Sequence, residues 1–236
     1  MKNLLPIFKN ELRLYSYSWL GLSSLIIINI IAGMGYLLGS VNFGNFQYFF
    51  SLLEMPFAWA ILIVGSRSLA KDKELGMFSL FFTSPLKLKD ILLAKFFALV
   101  VFFTICATSL IFYAFLSSIF FKISWMTVLS GYFSLLLAVV IFSSISIFSS
   151  SCTDNTLVAI VIGFGLWMFI YLFGSLGNML DPNLPFTSFI KEISYSYHFK
   201  NISSGVFSLA DVLYFFCFPI FMLKLTESKI LMQIAY

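Results

Sequence analysis

Long apolar runs alternate with short polar interruptions along nearly all of the 236-residue chain. A helix crossing the hydrocarbon core of a bilayer needs about 20 mostly apolar residues. Six stretches meet that requirement: Tyr17–Leu38, Phe46–Leu69, Ile91–Ile119, Val128–Ser149, Leu157–Leu176 and Phe207–Leu225. The third is long enough to tilt or to project past the bilayer, and the sixth is interrupted by Asp211 and Pro219. Two further stretches carry a helical period of another kind. Leu4, Phe8, Leu12 and Tyr15 form one apolar stripe, with Lys9 and Arg13 placed to reach lipid headgroups, which predicts an interfacial helix. After the turn signal DPNLPF, Phe189, Ile193 and Tyr197 recur four residues apart and predict a second surface helix before the last span.

Composition removes the alternatives to a membrane location. Hydrophobic residues make up 61% and charged residues 10% of the chain, with a mean hydropathy of +1.01. A soluble domain carries about 25% charged residues, so this inventory cannot build a water-facing surface. Glu11 and Arg13 precede the first run, and no small-residue cleavage pattern follows it, so it reads as a retained span and not a signal peptide.

The few charges then fix orientation. With six spans, the side holding both termini and the loops after spans two and four collects eleven lysines and arginines. The other side collects three, Lys122, Lys191 and Lys200. Basic residues are retained in the cytoplasm, which places both termini inside. The net charge of +4 marks topology and not a nucleic-acid partner. The expected fold is an all-α polytopic membrane protein forming a single transmembrane domain over residues 1–236, with an N-terminal interfacial helix, a cytoplasmic helix between spans two and three, and an external helical segment before span six.

Candidate chemistry is sparse. No Gly-x-x-x-x-Gly-Lys-Ser/Thr loop occurs, so the chain does not bind ATP in the P-loop manner. The one histidine, His198, rules out a catalytic set or metal site built on several histidines, and Cys106, Cys152 and Cys217 have neither disulfide nor zinc spacing. No catalytic residue and no metal ligand is expected. Within the spans the clear charge is Glu54, in SLLEMPFAW. It is either part of a substrate path or a carboxylate meeting water or a neighbouring helix. The polar residues available to line a pathway are mostly Ser, Thr, Asn and Tyr among many Phe, which suits an amphipathic or lipid-like substrate better than a small ion.

The densest charge falls in one cytoplasmic loop, KDKELGMFSLFFTSPLKLKD, residues 71–90. Glu74 to Phe82 reads as a short apolar helix bounded by charge, and Ser84-Pro85 as the N-cap and first position of the next helix. Phe78, Phe81 and Phe82 are too many for a solvated loop. They bury in lipid, in the chain's own helices or in a partner's groove.

This stretch resembles the signature of the ABC-2 type permease family, with Glu74, Gly76, Ser84, Pro85 and Lys95 at the matching positions and Met77 where the family often has threonine. FKNELRLYSYSWLGL resembles the family's amphipathic N-terminal segment. SYSYHFKNISSGVFSLADVLYF resembles its external region before the last span, through Phe199, Gly205, Asp211 and Tyr214. The short permeases of gliding-motility and copper-site-maturation systems are the most similar in character. The resemblance implies a bacterial cytoplasmic-membrane permease subunit packed against a second one, identical or homologous. Two separate ABC ATPase subunits would bind ATP and magnesium, and this chain would bind no cofactor. It further implies that Glu74, Gly76, Phe78, Phe81, Phe82, Ser84 and Pro85 form the helix on which an ATPase docks. A stand-alone secondary carrier or channel, and a membrane assembly protein without transport of its own, are the competing readings.

Overall fold

The computed structural model describes residues 4–37, 46–76, 88–120, 123–179 and 191–235. Among these there is no strand. Helix α1 spans Leu4–Tyr17 and α2 Trp19–Gly35; α3 (Phe46–Gly65) leads into α4 (Arg67–Glu74). Next come α5 (Leu88–Thr108), α6 (Ile111–Phe120), α7 (Trp125–Ser151) and α8 (Thr156–Met179), followed by α9 (Tyr195–Ser203) and α10 (Leu209–Ala235). Among the described residues five helical stretches are long and apolar enough to cross a membrane, and the α1–α2 pair makes a sixth when counted as one broken span. The chain is an all-α polytopic membrane protein.

Helix α7 is the axis of the bundle. Of its most apolar stretch 72% is buried, against 17% for α8 and 22% for the last span, so α7 is surrounded by protein while those two present most of their surface outward. It packs most extensively on α3, then on α10, α8, α5 and α9. Lipid tails are as apolar as leucine, so close packing and not water exclusion holds such helices together. The contact surfaces show how: Ala58, Ala98, Ala107 and Ala138 are fully buried, as are Ser134, Ser143, Ser144 and Ser146. Ser134, Ser144 and Ser146 return their hydroxyls to carbonyls three residues earlier, at 2.7, 2.7 and 2.9 Å, so few polar atoms face the apolar neighbours. Between them sit large rings, with Phe49, Phe50, Phe57, Phe103 and Phe142 nearly or wholly enclosed.

Helix α1 lies against α5 and meets α2 at 63°. The bend falls at Ser18, whose side chain caps α2 by accepting from Gly21 N at 2.9 Å. Tyr15 and the edges of Phe8 and Leu12 turn into the core, while Leu5, Lys9, Arg13 and Leu14 stay exposed. That is the amphipathic division its sequence predicts.

Several boundaries differ from those read in the sequence. The third run is two helices, parted by a turn at Ser109–Leu110, and the second is interrupted at Ser66. The sixth starts at Leu209 and continues ten residues beyond Leu225 to Ala235 without breaking at Pro219. Asp211 does not interrupt it but opens it. Ser208 Oγ accepts from Asp211 N at 3.2 Å while Asp211 accepts from Ser208 N at 3.3 Å, a reciprocal cap on the first turn.

Candidate functional site

At one end of the bundle the short helix α4 gathers contacts from four other helices. Its own N-cap, Ser66, makes no capping bond and instead pairs with Ser149 Oγ of α7 at 3.1 Å. The capping oxygen comes from elsewhere: Leu69 N and Ala70 N of the first turn of α4 both donate to Ser150 Oγ at 2.8 Å. This approach is possible because Gly65 has no side chain. A Cβ there would collide with Ser146 Oγ and lie 2.6 Å from Leu99 Cδ2.

The last turn of α4 reaches further. Lys73 Nζ donates to Ser151 O at 3.0 Å and to Gln233 Oε1 of α10 at 2.9 Å, and lies 3.3 Å from the Asp154 carboxylate. Glu74 receives the backbone N–H of Thr156 at 2.7 Å and its hydroxyl at 2.6 Å. Thr156 is the first residue of α8, where a carboxylate also complements the helix dipole. Two adjacent residues thus tie α4 to the ends of α7 and α10 and to the start of α8.

The helix expected from Glu74 to Phe82 does not begin at Glu74. Glu74 is the final residue of α4, Leu75 is its C-cap, and Gly76 follows at φ +68°, a left-handed conformation that ends helices and favours glycine. Leu75 N and Gly76 N close the turn on Lys71 O and Lys73 O at 3.0 Å each. Phe78, Phe81, Phe82, Ser84 and Pro85 lie outside the described residues.

A few ångströms inward is a feature the sequence only hinted at. Lys95, in the second turn of α5, is 1% exposed. Its Nζ lies 2.6 Å from Glu11 of α1 and 2.9 Å from Asp72 of α4, and donates to Ser68 O at 3.0 Å. A buried ammonium is stable only with partners of this kind. The signal was available, since a lysine within an apolar run requires a carboxylate at matching depth. Which acids would answer depends on how α1 and α4 fold back, and that is not a local property.

The opposite end holds the second cluster. His198 of α9 places Nδ1 2.5 Å from Asp211 Oδ1 and Nε2 2.7 Å from Glu192 O, and stacks on Tyr214 with ring centroids 4.4 Å apart. Phe199 sits one residue on, nearly buried, and Gly205 turns the chain towards α10 at φ +86°. Asp211 and Tyr214 thus meet at the ring of His198, with Phe199 and Gly205 on the chain between His198 and Asp211. Glu54 lies near them on α3. It is partly exposed in a cavity of about 320 Å³, and Tyr195 sets its hydroxyl beside it without a well-formed hydrogen bond.

The family model described as ABC-2 family transporter protein matches residues 38–222. The chain belongs to the ABC-2 transporter family. No curated protein matches it. Membership makes the chain an integral membrane protein, the permease component of an ABC transporter and a transport subunit rather than an enzyme. Permeases of this family associate with ABC ATPase components. The matched span includes α4, Lys95, Glu54 and the His198–Asp211 cluster, whereas Glu11, the nearest partner of Lys95, lies before it.

Proposed function

We propose that this ABC-2 permease forms a single transmembrane domain and, paired with a second permease, exports an amphipathic, lipid-like or polymeric substrate across a bacterial cytoplasmic membrane. In this reading the basic end faces the cytoplasm. Two separate ATPase subunits, carrying the ATP and magnesium, dock on the segment from Glu74 to Pro85. The permease binds no nucleotide of its own, and lipid surrounds its outer helices.

One observation carries the reading. Lys73 and Glu74 connect the base of that segment to α7, α8 and α10 through bonds of 2.6–3.3 Å. A displacement applied to the segment by a closing ATPase therefore has three direct routes into the spans. Phe78, Phe81 and Phe82 supply the apolar surface a docking helix needs, with Gly76, Ser84 and Pro85 setting its limits. Glu54 lines the path on the far side. The test is co-purification of the ATPase with the permease after Phe78→Asp and Phe82→Asp. Loss of the ATPase from a folded permease is the expected result, and full retention rejects the docking role.

A further inference from the structure

The cavity beside Glu54 has a charge arrangement specific enough to name a ligand. Two helix faces supply its polar lining. On α3, Gln47, Ser51 and Glu54 are spaced by four and three residues and share one face. On α9, Ser196 and Lys200 are four apart and do the same. Tyr48, Tyr171 and Phe199 add aromatic surface. Glu54 lies eight residues into α3, roughly 12 Å along its axis from the first residue, and is only partly exposed, whereas Lys200 is exposed. The cavity therefore presents a partly enclosed carboxylate, an exposed ammonium and aromatic rings in one lining.

We propose that this cavity binds a zwitterion whose ammonium group enters towards Glu54 while its phosphate stays at the rim on Lys200, as in a phosphoethanolamine-type lipid headgroup. Each part meets a complementary surface. A partly shielded carboxylate holds an ammonium by a charge-assisted hydrogen bond, and aromatic faces attract the same cation. Hydroxyls of Ser51, Tyr48 and Ser196 can accept from its remaining N–H groups. A phospholipid keeps its phosphate at the membrane interface and needs only to fold its ammonium arm inward. A cavity of about 320 Å³ admits a headgroup of this size. The inference deepens the permease reading, since it names the substrate class for the path on which Glu54 was placed.

The test uses the full chain in detergent micelles and four probes: glycerophosphoethanolamine, glycerol phosphate, and short-chain diacyl lipids bearing either phosphoethanolamine or phosphoglycerol. The ethanolamine probes are expected to bind at least about tenfold more tightly than their amine-free counterparts, and Glu54→Gln to lose about tenfold or more in affinity for them. Lys200→Gln should weaken the same probes severalfold. Binding of the soluble headgroup by itself identifies a headgroup site. Binding of the intact lipid only identifies a lipid site, and both outcomes support the ammonium–phosphate chemistry. Equal affinity for phosphoglycerol and phosphoethanolamine lipids, or an unchanged Glu54→Gln variant that stays folded, overturns it. ATPase co-purification is followed in parallel. A wild-type permease that retains its ATPase but binds none of the ethanolamine probes defeats this inference alone, whereas a wild-type chain that never associates with an ATPase defeats the permease reading.

Discussion

The Lys95 ammonium lies 2.6 Å from the Glu11 carboxylate, joining the N-terminal helix to α5 where almost no solvent reaches. Asp72 approaches the same ammonium at 2.9 Å, so one cation holds three helices together. Removing the cation leaves two mostly buried carboxylates facing each other uncompensated. Lys95→Met is expected to destabilise the fold by about 3–5 kcal/mol, as breaking a buried pair does. Glu11→Gln should cost less, because Asp72 still compensates the ammonium. The triple variant Glu11→Gln, Asp72→Asn, Lys95→Met should recover much of the loss. Thermal unfolding in detergent measures all three; a Lys95→Met protein as stable as wild type would show the cluster to be neutral.

Gly65 is a steric requirement. An alanine there drives its methyl into Ser146 and Leu99 on two different helices. Gly65→Ala is expected to lower stability by roughly 1–3 kcal/mol, the range for overpacking a filled interior. Adding Ser146→Ala removes the nearer obstacle and should restore part of the loss. Additive effects in the double variant would mean that the two residues do not press on each other.

Glu74 should matter to transmission more than to stability. Its partner Thr156 is at the surface, so Glu74→Gln and Thr156→Val are expected to fold normally and to keep the ATPase bound. ATP-driven transport in reconstituted vesicles should nevertheless fall severalfold in each. The double variant should be little worse than the poorer single one, because both weaken the same link. Unimpaired transport in both single variants would leave Glu74 without a role in coupling.

Topology is tested by thiol labelling. In a background without Cys106, Cys152 and Cys217, a membrane-impermeant maleimide applied to intact cells should modify Lys200→Cys and spare Asp154→Cys. Disrupted cells should be labelled at both positions. The reverse pattern would invert the orientation inferred from the basic residues.

The spans were legible because a bilayer demands one long apolar run per crossing, and such runs survive any detail of packing. The interruptions within them were not. Ser66 and Ser109 look like any small polar residue in an apolar stretch, and only the neighbouring helices decide whether the chain turns there. Asp211 was legible as an anomaly but misassigned, since a carboxylate three residues after a serine also opens a helix, as it does here. At the other end of the same helix the sequence places the limit at Leu225, where the apolar run ends. The helix continues past Thr226 and Glu227, and Glu227 lies 3.5 Å from Lys89 of α5. Leaving an apolar solvent does not oblige a helix to stop. Lys95 was visible as a position, but Glu11 and Asp72 are 84 and 23 residues away in sequence, and no local pattern announces such a meeting.

The serine cap on α4 has a mechanical consequence. A break in a helix normally makes a joint, because the amides it exposes are free to follow either half. Here Leu69 and Ala70 give theirs to Ser150, so α4 is tied directly to α7 as well as to α3, its own predecessor in the chain. A push on α4 therefore enters the centre of the bundle sideways through Ser150, in addition to passing along α3.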